Sequence, residues 1–337
     1  AGSTGNQHGF TFDGSTCLAS DSRRPGGTDA CANGPSPATV ERADYSMPVT
    51  GIVERHRVDS EAERRALVSS LRARPASIAP KYFYDRLGCA LYGAICELPE
   101  YYPTRTEREI FGERRAEIAR AIGRGGQFVD LGAGDCCKAE GWLPFVEPAR
   151  YLAVDIARDA IARALGRLEP EFPGVELTGI VVDFTAGLDL EADLDDRPVT
   201  FFYPGSSIGN FTPGEALAFL ARIHSHCLSR PGSGLLIGVD TKKDVARLVP
   251  AYADPTGVTA AFNRNVLNHV NRVVGSDFRP DRWAHVGLYD ERRGRIEMHL
   301  EAIDDQEVRI DGDVRRYERG ERIHTENSYK YTPESFE

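Results

Sequence analysis

The residues best placed for chemistry sit where short apolar runs give way to glycines, acids and an aromatic ring. Phe128 to Pro144 (FVDLGAGDCCKAEGWLP) joins one apolar run to Gly132 and Gly134, with a helix-forming stretch from about Asp135. Glycines there let the backbone come within contact distance of a ligand, because they carry no Cβ. A buried parallel strand feeding such a turn also presents free N–H groups at its carboxyl edge. A second run, Tyr151 to Val154, ends in Asp155, about 20 residues on, where an acid commonly receives a ribose diol. A third, Val181-Val182, leads into Asp183-Phe184, a polar contact and a flat apolar contact suited to a purine. Alone, GxG after a strand is a weak signal shared by many nucleotide binders and by plain turns. The sequence has neither the full GxGxxG nor GxxxxGK[ST], so it favours an adenosine ligand without phosphates over a dinucleotide or nucleoside triphosphate. S-adenosylmethionine is the common ligand of that description.

The elements that must position these residues follow from alternation. Strand candidates at Gln127–Leu131, Tyr151–Val154, Val175–Val182, Val199–Tyr203 and Leu235–Asp240 alternate with helical stretches near Asp159–Leu168 and Pro213–Leu228. This predicts an α/β fold with a parallel, doubly wound sheet. Thr212-Pro213-Gly214-Glu215 reads as a capping box with proline in the first turn. Thr106-Glu107-Arg108-Glu109 reads as a second box, opening a helix to Ile122. Between the fourth strand and its helix lies YPGSSIGNF, Tyr203 to Phe211, which should face the glycine turn across the strand carboxyl ends. Asn210 in that loop is either a helix cap or a ligand-binding amide.

Composition narrows the function classes. The chain has 337 residues, 41% hydrophobic and 27% charged, with a net charge of -10. It is long enough for one large core or two moderate ones. No apolar run reaches the roughly 18 residues of a membrane helix, and no basic stripe interleaved with aromatics suggests a nucleic-acid partner. The seven cysteines are odd in number and form no CxxC. A disulfide framework and a zinc site are therefore not expected, and the cytoplasm is the simpler setting.

The two ends differ from the middle. Residues 1–46 are dominated by Gly, Ser, Pro, Thr and Asp without periodicity and are expected to be a disordered leader. A helix is expected from Asp59 to Ala73, and another over Leu87–Glu97 between the tyrosine-dense segments KYFYD and LPEYYP. Beyond Asp240 the pattern is helical over Lys243–Val274, broken at Asp254-Pro255. Alternating stretches follow at His285–Tyr289, Arg295–Ala302, Glu307–Ile310 and Val314–Tyr317, as in an antiparallel meander. In the last segment Glu326 and Ser328 are two apart and share one side of an extended chain. An acid and a hydroxyl presented together could grip a ring with two nitrogens.

KYFYD, LPEYYPTRTE, DLGAGDCCKA, FYPGSSIGNF, AYADPTGVTAAFN, RIEMHL and GERIHTENSYKY occur in this order between about Tyr82 and Tyr331. Together they resemble the histidine-specific Nα-methyltransferase family of ergothioneine biosynthesis. The resemblance implies a Rossmann-like class I methyltransferase sheet with a second, substrate-binding domain formed by an N-terminal segment and an insertion. Residues 47–105 and 243–325 would form that domain, 106–242 the methyltransferase domain, and 326–337 a return to it. A family member would continue past Glu337 through a helix and a last strand, so the return reads as shortened.

The resemblance also implies roles. Gly132, Lys138, Asp155, Asp183 and Phe184 would hold S-adenosylmethionine, with Lys138 on the methionyl carboxylate, Asp155 on the ribose and the last two on adenine. Tyr84, Tyr101, Gly205, Asn210 and Tyr252 would surround the amine and carboxylate of histidine, Tyr84 and Asn210 orienting the amine. Glu326 and Ser328 would bind the imidazole, and Met298 would wall it. No metal has a role in such chemistry, which leaves His285, His299 and His324 structural. The implied activity is methylation of the α-amino group of L-histidine, up to three times, giving hercynine. The implied protein is a cytoplasmic monomer whose partner is a small molecule. The rival readings are a methyltransferase for another aromatic amino acid or amine, and an inactive fragment or regulator that binds S-adenosylmethionine.

Overall fold

The structure is a computed structural model that describes residues 51–55, 60–185 and 187–336. The expected leader lies outside the described residues.

Strand β3 (Gln127–Leu131) is buried at every position, as a strand covered on both faces must be. Around it lie β1 (Ile52–Glu54), β4 (Arg150–Asp155), β5 (Glu176–Val181), β6 (Val199–Tyr203) and β7 (Gly234–Ile237), in the order β1-β5-β4-β3-β6-β7. Every pairing is parallel. The chain steps outward from β3 through β4 to β5, then returns to the other side of β3 as β6. That reversal opens a crevice at the carboxyl ends of β3 and β6. Two apolar layers cover the sheet, one centred on Phe128, Trp142, Tyr151 and Phe202 and the other on Val129, Leu152, Phe201 and Phe219.

The second sheet has the order β2-β12-β9-β8, with β2 (Ala76–Ser77), β8 (Trp283–Asp290), β9 (Arg295–Ala302) and β12 (Arg322–Tyr329). Strands β10 (Gln306–Ile310) and β11 (Asp313–Tyr317) form a separate hairpin, so the expected meander is split between two sheets. Helices α1 (Ser60–Arg72), α2 (Arg86–Cys96), α8 (Val245–Leu248) and α9 (Val258–Val274) pack on this side. Phe262, Val266 and Val270 of α9, four residues apart, form an apolar stripe in which the two valines are fully buried. One core joins Leu71 and Phe83 from the N-terminal segment to Val266, Met298, Leu300 and Ile323 from the later one. Each fully buried aliphatic side chain there contributes about 1.5–3 kcal/mol.

Four boundaries differ from the sequence reading. The helix expected from Thr106 is α3 (Tyr102–Ile122), which begins a turn earlier, with proline in its first turn. Thr106 therefore caps nothing and donates to the Tyr102 carbonyl. The helix expected after the glycine turn is two four-residue pieces, α4 (Cys137–Glu140) and α5 (Leu143–Val146), interrupted by Gly141 and with Pro144 in the first turn of α5. Ile52–Glu54 pairs into the main sheet, although residues 47–105 read as part of the second domain. A division at 325/326 would cut β12, which pairs with β9 on both sides of that point. The chain instead crosses back at Tyr331, bridged to Thr241.

Candidate active site

The glycine turn supplies one wall of the crevice. Gly132 is exposed and has φ +75°, a conformation that costs a side-chain-bearing residue about 1–2 kcal/mol. A Cβ there would lie 3.8 Å from the Phe184 ring, so Phe184 stands beside the turn. Asp155 closes β4 and accepts from the amides of Gly134 at 2.9 Å and Ala157 at 2.8 Å. Those bonds fix its carboxylate between the turn and the next loop. Asp183 accepts from the Thr185 amide and pairs with Lys81 at 3.0 Å. Burial raises its pKa, but Thr185 and Lys81 outweigh that and hold the carboxyl below its usual range. It is a fixed anion beside Phe184.

Lys138 lies 2.7 Å from Glu107 Oε2, and Oε1 of the same carboxylate accepts from the Gly205 amide. Glu107 thus ties the turn after β3 to the loop after β6. Gly205 has φ +78°, and a Cβ there would come within 3.0 Å of Lys138 Nζ. The expected facing of the two loops is therefore met by direct contact. Sequence reasoning missed Glu107 because it placed the helix start four residues late. Pro103, which favours the first helical turn, was the available signal.

The opposite wall comes from β12, and its orientation depends on a bulge. On β9, Ile296, Met298 and Leu300 alternate along one face, all at most 1% exposed. Their partners on β12 are Ser328, Glu326 and Ile323 respectively. Directly paired residues share a face, yet Ile323 and Glu326 are three apart, which regular alternation would put on opposite faces. The register shift between His324 and Glu326 resolves this. Thr325 is the extra residue, with its hydroxyl donating to the Met298 carbonyl at 3.0 Å. The bulge turns Glu326 and Ser328 to the same face as Met298.

That face meets the crevice. The Asn210 side chain hydrogen-bonds Glu326, and Gly209 packs against the backbone of Tyr329. Asn210 does not cap the following helix, α7 (Pro213–Leu228); Thr212 does, with Glu215 completing the box. Enclosure by protein pushes the Glu326 carboxyl up to about 7, with Lys330 and Asn210 pulling the other way. Tyr84, Tyr92, Tyr101, Tyr252 and Phe262 form a linked set of edge-on and tilted rings nearby. Tyr84 keeps 45% of its surface exposed. Desolvation first, and then the charge of Glu326, raise its phenol well above the ordinary range, so it stays protonated. Tyr101 is raised too, by desolvation first and then by its neighbours Tyr92 and Tyr252. Tyr252 is deeper, its hydroxyl taken up by Ser328 at 2.8 Å and Lys330 at 2.9 Å. It stands beside Ser328 at the end of the cleft assigned to the ring. Tyr92 and Phe262 were not singled out from the sequence.

The histidines lie elsewhere. His285 is held by Asn263 at 2.8 Å and the Tyr252 carbonyl at 2.8 Å, behind the aromatic set. His299 and His324 stack edge to face, bound to Glu297 and Asn327. Among the described residues no group of three or more His, Cys, Asp or Glu is arranged to hold a metal ion, and no helix is long and apolar enough to cross a membrane.

The chain that builds this crevice is similar in sequence to known proteins. Histidine N-alpha-methyltransferase of Mycolicibacterium smegmatis is 40% identical over 283 residues, 82% of this chain and 86% of that protein. Ergothioneine biosynthesis protein 1 of Neurospora crassa is 30% identical over 85% of this chain, which spans 33% of that longer protein. A 4-dimethylallyltryptophan N-methyltransferase of Claviceps purpurea is 27% identical over 76% of this chain and 80% of its own length. The family model for SAM-dependent, histidine-specific methyltransferases matches residues 63–337, which include both walls of the crevice, and the chain belongs to that family.

Proposed function

We propose that the protein transfers methyl groups from S-adenosylmethionine to the α-amino nitrogen of L-histidine, up to three times, giving hercynine. The observation that carries the reading is the Asn210–Glu326 contact. It brings the acid proposed to bind the ring, on one sheet, to the loop that faces the glycine turn of the other.

The residues present fit the methyl donor. The exposed Gly132 admits a ligand against the backbone, Phe184 offers a flat face beside it, Asp155 is fixed at a strand end, and Lys138 offers a cation across from Gly205. When bound, the donor supplies an activated methyl on sulfonium sulfur. The chain's part is to hold the acceptor nitrogen in line and keep water out, an effect worth up to about 7–11 kcal/mol in favourable systems. The neutral Tyr84 hydroxyl and the Asn210 amide would orient the amine without acting as strong bases. The rings of Tyr84, Tyr92 and Tyr101 offer faces that tolerate the methylammonium charge as it grows.

Glu326 and Ser328 would hold the imidazole, with Met298 on the same sheet face beside them. A site built to hydrogen-bond a ring rejects one that cannot reciprocate, at about 1–3 kcal/mol per unsatisfied group. This disfavours the rival acceptors, the other aromatic amino acids. The reading extends to a monomer in the cytoplasm; the free cysteines among the described residues support a reducing setting. Incubation with S-adenosylmethionine and each of the standard amino acids, followed by mass spectrometry, tests the proposal. Successive methyl additions to histidine are expected. Methylation of another amino acid in preference to histidine would refute it.

A further inference from the structure

Behind Ser328 lies a buried charged network that the proposed reaction does not use directly. The Lys330 side chain is fully buried. Its ammonium lies 2.8 Å from Ser328 Oγ, 2.9 Å from the Tyr252 hydroxyl and 2.8 Å from Asp240 Oδ2. Three N–H donors meet three acceptors, so the ammonium is satisfied. Asp240 also accepts from Tyr102 at 2.6 Å and from Lys243. Its carboxyl resists burial, which pulls its pKa up, and is held down to about 2 by the two lysines. Asp240 follows β7 of the main sheet and Lys330 follows β12 of the second, so the pair sits where the chain crosses between them.

The network fixes the direction of a proton. Ser328 Oγ and the Tyr252 hydroxyl are 2.8 Å apart and share one hydrogen bond. Both oxygens already accept from Lys330, which can never accept in return. If serine donated to tyrosine, the buried phenol proton would have no acceptor among the described residues. If tyrosine, the more acidic hydroxyl, donates to serine, its proton is placed and both serine lone pairs are filled. Ser328 can then only donate. Ser328 and Glu326 are two apart on one strand face and so point the same way.

Resting on the histidine reading above, we infer that Lys330 is a positioning residue that sets the hydrogen-bond polarity of Ser328. The cleft then presents one donor beside the acid and selects a neutral ring with one N–H and one bare nitrogen. An imidazolium, with two N–H groups, would meet the serine proton head-on. The other charged groups facing the ring site are Glu326 itself and, behind Lys330, Asp240 with Lys243.

The test compares histidine with a pyrrolylalanine, which keeps a ring N–H but has C–H in place of the bare nitrogen. Wild type should prefer histidine in kcat/KM by at least roughly tenfold on this contact alone. In Lys330→Met the serine hydroxyl is free to turn inward, and the preference should fall by about that factor. Lys330→Met/Asp240→Asn removes both charges together, so that no carboxylate is stranded if the single variant folds poorly. Calorimetry with S-adenosylhomocysteine reports whether each variant keeps its fold and donor site. An unchanged preference in a variant that binds S-adenosylhomocysteine would reduce Lys330 to a strut between the sheets.

A second measurement needs no variant. Histidine labelled at its ring nitrogens, bound with S-adenosylhomocysteine at about pH 6, where the free ring is mostly protonated, should show one pyrrole-type and one pyridine-type nitrogen signal. Two pyrrole-type signals would overturn the inference while leaving the methyltransferase reading intact. Absence of any histidine binding or turnover would instead count against that reading.

Discussion

On the glycine-turn side of the crevice, the contacts come from the last residue of a strand or from the loop after it: Asp155 closing β4, Gly132 after β3, Gly205 after β6. On the other side, Glu326 and Ser328 sit within a strand of a second sheet, facing the crevice because Thr325 is bulged. The first wall is built at strand ends. Its geometry is set by the parallel pairing of β3 with β4 and β6, by the positive-φ glycines Gly132, Gly134 and Gly205, and by amide bonds to Asp155. The second is built inside a strand. It needs β9 beside β12 in one register and the Lys330–Asp240 pair at the crossing. A wall of the first kind tolerates change in its neighbours; one of the second kind fails as a unit when register slips.

The comparison can be broken most sharply just past the bulge. Deleting Asn327 leaves Glu326 opposite Met298 but moves Ser328 into the place opposite Glu297, on the outer face. Histidine kcat/KM should fall by at least roughly 100-fold, while calorimetry still detects S-adenosylhomocysteine. Retained turnover would mean that the phase of the strand does not aim the ring site.

Glu326→Ala keeps the register and removes one partner. A loss of roughly 10- to 100-fold in histidine kcat/KM is expected, with relative improvement for larger aromatic amino acids in a competition assay. If histidine turnover is untouched, Glu326 does not bind the ring.

Glu107→Ala probes the link between the two strand-end loops. Lys138 and the Gly205 amide both lose their acceptor. Affinity for S-adenosylhomocysteine should drop about tenfold. An unchanged dissociation constant would show that Lys138 holds its place without Glu107.

The smallest effect expected is one of stability. Burial raises the Glu326 carboxyl to about 7, above its unfolded value near 4.3. Such a group stabilises the fold fully below the unfolded pKa, and that contribution is lost as pH rises through about 7. Glu326→Gln should therefore raise Tm by a few degrees at pH 8, from about 1–2 kcal/mol, and by little at pH 4. Equal Tm for variant and wild type at pH 8 would contradict the enclosed carboxylate.

These two walls were also unequally legible in the sequence. Gly132, Asp155 and Asp183-Phe184 announce themselves because apolar runs end where they stand, and the parallel sheet follows from the alternation. Glu326 and Ser328 were paired correctly by their two-residue spacing, and the same spacing reaches Lys330, which went unremarked. Nothing local marks Thr325 as a bulge, since it is a threonine in a strand-forming run and its extra place is set by β9. Glu107 was hidden by a plausible capping box at Thr106. The earlier helix start at Tyr102 turns that glutamate from a surface residue into the clasp between two loops.

The most direct test is a structure of the protein with S-adenosylhomocysteine and histidine bound together. The histidine ring is expected between Glu326 and Ser328, and its α-nitrogen near Tyr84 and Asn210 with an open line to the donor sulfur. Histidine bound with its ring elsewhere, or with its amine turned away from the sulfur, would contradict the single shared cleft.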